Sequence, residues 1–185
     1  MASWVAERAT GEVPAPLGVW LPLIRSLEAA CVGPAECVPV AAAAALAQDL
    51  PADHQLPWSA WSPGESGYRR HVVYADPLGR FAVVALVWSP GQCTPIHGHY
   101  TWCAYQVVAG ELHEEGYQRV PDSLHVRLVG TVRRPEGSQG LGHAGLETVH
   151  RLRHAAGQPA VSVHVYGIDG GRVATHVNRL VEVVG

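Results

Sequence analysis

The sequence has few cysteines, few charged side chains and no long apolar run. Four of its 185 residues are cysteines, and in a reducing compartment they would not build a disulfide framework. Only 16% of the residues are charged and 48% are hydrophobic, which is typical of a compact soluble chain and excludes a disordered or fibrous one. The length suffices for one domain with a sizeable core.

Further absences limit the partners that we expect. No stretch approaches 18 consecutive apolar residues, so no membrane span is expected. The 13 basic residues are scattered and the net charge is -3, which argues against a nucleic-acid partner. Charges in residues 1–18 occupy the place where a signal peptide needs an apolar stretch, and this predicts a cytoplasmic protein. We expect a monomer or a small homo-oligomer that acts on a small molecule.

The patterns along the chain predict one mainly β domain, residues 1–185. Residues 1–52 form a helical N-terminal segment, because apolar residues recur there at helical spacing. Residues 66–185 form a β-barrel or sandwich of short antiparallel strands separated by turn sequences. The predicted strands are rich in β-branched and aromatic residues. Their ranges are 68–76, 80–89, 94–109, 111–120, 123–130, 145–155, 160–168 and 172–184.

The segment "PIHGHYTWC", residues 95 to 103, carries the first functional signal. His97 and His99 lie two positions apart, so in a strand both imidazoles point to the same face. Imidazole is a good ligand for several divalent metals, and the 11 histidines fall mostly after residue 96. A His-x-His pair alone is common by chance, and the alternative is a core strand with incidental polar residues.

The spacing around this pair resembles the first motif of the cupins. Gly91, His97, His99, Cys103 and Gly110 follow one another at the intervals of that motif. The resemblance implies a jelly-roll β-barrel that holds a metal ion. Cys103 stands where most cupins have a glutamate ligand, which leaves a site of histidines only.

A third ligand is expected from a later strand, and the candidates are His143, His150, His154 and His164. The segment 145–167 resembles the end of the cysteine dioxygenase, or thiol dioxygenase, family. That resemblance implies His150, which precedes Arg151, as the third metal ligand beside His97 and His99.

The same resemblance implies a catalytic set of Ser162, His164 and Tyr166. These residues alternate at period 2, so they face the same side of a strand, as a hydrogen-bonded relay requires. The alternative is a buried strand whose polar groups are satisfied by ordinary partners.

The resemblance extends upstream and implies that Tyr68 and Arg70 bind a substrate carboxylate. They share one face of the predicted strand while Arg69 points away, although a surface salt bridge is the alternative role for Arg70. In animal members of the family, the cysteine that Cys103 resembles forms a thioether with the tyrosine that matches Tyr166 of this sequence. The alternative is an uncrosslinked small residue. Gly98 departs from the family, which often has aspartate there.

The activity implied by the resemblance is a thiol dioxygenase with one Fe(II) ion per chain and O2 as co-substrate. L-cysteine, oxidised to cysteine sulfinate, is the expected substrate, and Arg70 favours it over 3-mercaptopropionate. Another small thiol acid such as 3-mercaptopropionate or mercaptosuccinate is the first alternative. A non-oxygenase metal-binding cupin, either an isomerase or a sensor, is the second, and a barrel that binds without metal is the third.

Overall fold

The structure is a computed structural model that describes residues 17–121 and 125–183. Within those residues, no helix is long and apolar enough to span a bilayer. The helices and strands are α1 Leu21–Ala30, α2 Val38–Asp49, β1 Arg69–Ala75, β2 Ala82–Trp88, β3 His97–His99, β4 Cys103–Ala109, β5 Glu111–Arg119, β6 His125–Pro135, β7 Gln139–Gly142, β8 Gly145–Arg153, β9 Ala160–Tyr166, β10 Asn178–Leu180 and β11 Glu182–Val183.

The strands form two sheets that face each other. The first sheet has the order β1-β2-β9-β4-β7 and the second has the order β10-β3-β8-β5-β6-β11. Neighbouring strands pair antiparallel except for the short parallel contact of β11 with β6. Side chains from both sheets meet between them in one apolar cluster. The mainly β jelly-roll fold with N-terminal helices is therefore confirmed, whereas the proposed domain limits stay a prediction.

The first sheet is covered on both faces, and this decides where its side chains go. Every residue of β2 and β9 is buried. Because strand side chains alternate, one set of β2 and β9 packs under the helices and the other set enters the space between the sheets. The inward set of β9 includes Ser162, His164 and Tyr166, so these polar side chains lie in the barrel interior.

The helices pack against the outer face of this first sheet. Trp20, Leu23 and Leu27 are fully buried there together with Leu46 of α2. Gln139 of β7 reinforces the contact by donating from Nε2 to the backbone oxygen of an α2 alanine at 2.7 Å. Residues 1–16 of the predicted helical segment lie outside the described residues.

The stretch 94–109, predicted as one strand, is two strands in different sheets. The chain turns at residues 100–102, where Tyr100 N donates to Val177 O and Gly167 N donates to Trp102 O. The histidines of β3 therefore belong to the second sheet, and Cys103 belongs to the first. Two-residue periodicity does not carry across such a corner, which is why the single-strand prediction is wrong.

Two other strand predictions also need correction. The segment 133–142 lies between two of the predicted strands, yet it contains the end of β6 and the whole of β7. The stretch 172–184, predicted as one strand, begins in a 3-10 turn, and its described residues contain two short strands, β10 and β11.

Candidate metal centre

Three histidines converge on one point inside the barrel. His97 and His99 come from β3, and His150 comes from the neighbouring β8, where it pairs in register with His97. One ring nitrogen of each lies within 4.8 Å of those of the other two. The ring centroids are 4.7 to 5.1 Å apart, and all three side chains are buried. The structure thus brings together the three residues that the resemblance implied as metal ligands.

The hydrogen bonds of these rings leave a nitrogen available on each one. His97 Nδ1 lies 2.9 Å from the carbonyl oxygen of Pro95, which can only accept, so Nδ1 carries the proton and Nε2 keeps its lone pair. His150 Nδ1 lies 2.6 Å from Oε1 of Glu114, with the same consequence. His99 Nδ1 is buried without a partner among the described residues. Three imidazoles with free lone pairs fit a divalent metal ion.

Burial keeps His97 and His99 in the neutral form, which is the form of imidazole that binds metal. It lowers the pKa of His97 well below its usual value, and the neighbouring His150 and His99 lower it further. Burial, with a smaller contribution from His150, lowers the pKa of His99 to about 3. Both rings are therefore neutral at physiological pH, and only the neutral imidazole coordinates a metal.

Gly98 allows β3 to pass unusually close to β8. The pairing of the two strands is irregular between His97 and His99. A Cβ atom at position 98 would lie 2.5 Å from the Gly145 carbonyl oxygen and 2.8 Å from Cδ2 of Leu146. No side chain fits there, which explains why the aspartate common in the family at this position is absent.

Two glycines of β7 also allow the backbone to pack closely against side chains on the other side of the site. A Cβ atom on Gly142 would lie 2.8 Å from Cε1 and 2.9 Å from Nδ1 of His99. A Cβ atom on Gly140 would overlap the ring of Tyr105. The bare backbone of β7 therefore packs directly on both rings and fixes their positions.

A cavity adjoins the three histidines. Arg70, only 8% exposed, lines it and donates from Nη2 to the Tyr68 hydroxyl at 3.0 Å. Its Nε is buried without a partner among the described residues. The Tyr68 ring stacks on Trp88 with centroids 4.6 Å apart. Arg69 points elsewhere and donates to the Ser62 hydroxyl, as the alternation of the strand predicts.

The inward residues of β9 form a continuous hydrogen-bonded row. His164 Nε2 lies 2.8 Å from the Ser162 hydroxyl, and its Nδ1 lies 3.2 Å from the Tyr166 hydroxyl. Trp88 Nε1 donates to the Ser162 oxygen at 3.0 Å and so extends the row to β2. The part played by Trp88 has no signal in the sequence, because a tryptophan in a buried strand is ordinarily a core residue.

Burial also sets the charge state of this row. It lowers the pKa of His164 well below its usual value, with the positive charge of Arg70 as the next cause. Burial raises the pKa of Tyr166, and the opposing effect of Arg70 is smaller. At neutral pH, His164 is therefore uncharged and Tyr166 keeps its hydroxyl proton.

Cys103 and Tyr166 are direct neighbours across the β4–β9 pair. Opposite residues of an antiparallel pair have Cβ atoms roughly 4.5–5.5 Å apart on the same face. Cys103 Sγ also lies 3.4 Å from His99 Nε2. Burial, followed by the charge of Glu114, raises the pKa of the Cys103 thiol to about 12, so the thiol is protonated.

The remaining candidates for the third ligand lie elsewhere. His143 is exposed, and His164 belongs to the β9 row. His154 is buried, but its ring nitrogens lie 3.0 Å from Glu111 O and 2.9 Å from Gln158 O. His154 does not line the cavity.

Sequence reasoning missed Glu114, the acid that contacts the cluster. Besides His150, Glu114 accepts hydrogen bonds at Oε2 from Tyr105 OH at 3.0 Å and from Arg134 Nε at 2.8 Å. Burial alone would raise the pKa of Glu114, but its bonds to His150 and Arg134 outweigh burial and lower the pKa to about 2. A glutamate beside another glutamate on a polar strand gives no sign of such a role.

Comparison with known families agrees with this geometry. The family model of cysteine dioxygenase type I matches residues 42–169, well over half of the chain. The chain belongs to the cysteine dioxygenase type I family. The matched residues include the three clustered histidines, the cavity residues Tyr68 and Arg70, and the whole β9 row.

Solved structures with similar strand arrangements come from distant proteins. The TT1209 protein from Thermus thermophilus is 16% identical, with a TM-score of 0.48 over 60% of this chain and 92% of its own. A Klebsiella pneumoniae protein with a double-stranded β-helix domain is 17% identical, with a TM-score of 0.48 over 65% and 92%. The cupin domain of Schizosaccharomyces pombe Cnp3 is 8% identical, with a TM-score of 0.46 over 60% and 66%.

Proposed function

We propose that this member of the cysteine dioxygenase type I family oxidises L-cysteine to cysteine sulfinate. The reaction uses O2 and one Fe(II) ion held by His97, His99 and His150. The observation that carries the proposal is the presence, in one cavity, of three clustered imidazoles and a buried arginine. The imidazoles suit a metal, and the arginine suits the carboxylate of a small substrate.

The proposed reaction balances without any further reductant. Both atoms of O2 pass to the thiol sulfur, which loses four electrons, and these electrons reduce the O2. The thiol proton is released to solvent. Non-haem iron, when bound, supplies the one-electron chemistry that lets O2 react with a thiol.

Arg70 is the proposed carboxylate anchor. Its planar guanidinium offers donors in a fork that matches the two oxygens of a carboxylate. One donor is occupied by Tyr68, and the buried Nε is without a partner among the described residues. Tyr68 is itself held by stacking on Trp88, so the anchor has a fixed orientation. A substrate held at its carboxylate has its thiol at a defined distance from the histidine cluster.

Tyr166 is proposed to hydrogen-bond the reacting groups with its phenolic proton. When Tyr166 donates its proton to the reacting groups, His164 donates from Nδ1 to the Tyr166 oxygen. Ser162 then donates to His164 Nε2, and the Ser162 oxygen accepts from Trp88 Nε1. The Tyr166 proton is then free to point into the cavity. We expect Tyr166→Phe to retain its metal and lose activity, since removal of a positioned donor costs about 100- to 1,000-fold in rate. Unchanged activity in this variant would contradict the role.

Cys103 and Tyr166 are also the proposed partners of a thioether. The Cys103 sulfur would bond to the Tyr166 ring, with loss of the thiol hydrogen and one ring hydrogen to O2 as the oxidant. Their direct opposition across paired strands supports this. The bond would hold the Tyr166 ring against the first sheet at the wall of the cavity.

The test of the function is oxygen uptake by protein loaded with Fe(II) under anaerobic conditions. L-cysteine, 3-mercaptopropionate and mercaptosuccinate are supplied in parallel, and the product is identified by mass spectrometry. We expect one O2 consumed per sulfinate formed, with L-cysteine the fastest thiol. A faster rate with another thiol acid would assign that substrate. No uptake by iron-loaded protein would favour a non-oxygenase cupin.

The Arg70→Gln variant separates binding from chemistry in the same assay. We expect a large rise in KM for L-cysteine, because the ion pair with the carboxylate is lost. Uptake with cysteamine, which has no carboxylate, should differ little between the variant and the parent protein. Equal losses with both thiols would show that Arg70 does not act on the carboxylate.

A further inference from the structure

The histidine cluster has no carboxylate among its three candidate ligands, but one lies a single hydrogen bond away. Glu114 Oε1 accepts from His150 Nδ1 at 2.6 Å. In the part of the chain that the structure describes, no other carboxylate is hydrogen-bonded to any of the three histidines. This contact therefore gives His150 an environment that His97, bonded to a backbone carbonyl, does not share.

Besides His150, two groups from two other strands hold the Glu114 carboxylate in place. Arg134 of β6 contacts Oε2 with Nε at 2.8 Å and Nη2 at 2.6 Å. Tyr105 of β4, in the opposite sheet, donates to the same oxygen at 3.0 Å. The side chain of Arg134 is 29% exposed and that of Glu114 is 15% exposed, so the negative charge is paired at the edge of the interior.

Tyr105 connects this system to the β9 row. Its ring lies nearly parallel to that of His164, with centroids 5.1 Å apart and an interplanar angle of 18°. The same tyrosine therefore contacts the relay residue with its ring and contacts Glu114 with its hydroxyl. Gly140 leaves the space that this ring occupies.

We propose that Glu114, positioned by Tyr105 and Arg134, strengthens metal binding at this centre by making His150 a more electron-rich ligand. A carboxylate that accepts from Nδ1–H increases the basicity of the opposite ring nitrogen and fixes its direction. The effect is larger for a more highly charged ion, so Glu114 also lowers the Fe(III)/Fe(II) reduction potential. The iron part of this statement rests on the proposed function, whereas the metal-binding part does not.

The outer face of the second sheet contains a matched control. Glu115 accepts at Oε2 from Tyr117 OH at 2.7 Å and from Arg151 Nε at 2.8 Å. This arrangement repeats the tyrosine and arginine contacts of Glu114 one residue further along β5. It touches no histidine of the cluster, so Glu115→Gln and Tyr117→Phe disturb the same kinds of bond without reaching the metal site.

The experiment compares metal binding by the parent protein, Glu114→Gln, Tyr105→Phe and the two controls. Co(II) is titrated into metal-free protein, and its absorption spectrum and calorimetric affinity are recorded. We expect Glu114→Gln to lose about 10- to 100-fold in affinity and to change the Co(II) spectrum. Tyr105→Phe should lose less, and the controls should bind Co(II) like the parent protein.

The reduction potential gives a second readout on the iron-loaded proteins. We expect it to rise in Glu114→Gln, and a tenfold greater loss for Fe(III) than for Fe(II) corresponds to about 59 mV. Parent-like affinity and potential in Glu114→Gln, or an equal loss in Glu115→Gln, would overturn the proposal. If Glu114→Gln fails to fold, Tyr105→Phe decides, with parent-like Co(II) binding and spectrum as the result that overturns it.

The two proposals fail in distinguishable ways. A parent protein that binds Co(II) and Fe(II) but consumes no O2 with any thiol contradicts the dioxygenase and leaves the role of Glu114 intact. A parent protein that oxidises L-cysteine while Glu114→Gln binds metal equally well contradicts the role of Glu114 alone.

Discussion

The close packing of β7 on His99 makes Gly142→Ala a sharp test of how the metal centre is built. The new Cβ atom would lie 2.8 Å from Cε1 and 2.9 Å from Nδ1 of the imidazole. The ring is buried, and it is joined to the same strand as His97, so it has little freedom to move away. We expect this single methyl group to weaken metal binding measurably while the protein still folds.

The contact distances give the size of the effect. An ordinary contact is at least 3.4 Å, so the His99 ring or the β7 backbone has to retreat by about 0.5 Å. That displacement equals the tolerance of roughly 0.5 Å within which a functional site has to be held. Extra volume in a packed interior costs about 1–3 kcal/mol of folding free energy. We therefore expect a modest loss of stability together with a loss of about tenfold or more in Fe(II) affinity, as for other changes beside a ligand.

The assay is a calorimetric titration of metal-free protein with Co(II) or Fe(II), beside urea unfolding of the same samples. Gly130→Ala is the matched control, because Gly130 is also a strand glycine of this domain and its Cβ atom would meet nothing within 4 Å. It should bind metal like the parent protein. If Gly142→Ala also binds metal with parent affinity, the β7 backbone does not position His99 and the reasoning is refuted.

Two more predictions concern acid stability and the thioether. The hydrogen bonds from Arg80 lower the pKa of the buried Asp76 in the folded protein. The Asp76 carboxylate therefore stabilises the fold above its pKa in the unfolded chain, about 3.9, and this stabilisation is lost as pH falls through its pKa in the folded protein. The unfolding free energy of Asp76→Asn, followed by urea titration, should therefore fall less steeply than that of the parent as pH drops below about 4; parallel curves would contradict this. Mass spectrometry of peptides from iron-loaded, turned-over protein should find Cys103 and Tyr166 in one species lighter by two hydrogens, which Cys103→Ser abolishes.

The residues that could be found from the sequence are those whose relation is local. Ser162, His164 and Tyr166 alternate within one uninterrupted strand, and alternation fixes their common face wherever that strand lies. The same argument holds for His97 and His99. His150 came from the family resemblance, because spacing alone left four histidines open.

The parts that could not be found depend on how the strands meet. The corner at residues 100–102 sends Cys103 into the opposite sheet, and no periodicity predicts such a change. Glu114 contacts His150 across two strands whose pairing is known only from the fold. The glycines of β7 looked like a turn, since their close contact with buried rings has no local signature.

The residues of the candidate site come from both sheets, so the rigidity of the site depends on how firmly the two sheets are held together. The three clustered histidines belong to the second sheet, whereas the β9 row and Arg70 belong to the first. The distance between the histidine cluster and the proposed substrate-binding groups is therefore set by the distance between the sheets. Tyr105 bridges that gap with its hydrogen bond to Glu114, and the helices that cover the first sheet keep its strands packed from behind. Because a packed interior resists small displacements, the helices stabilise the geometry of the site without touching it.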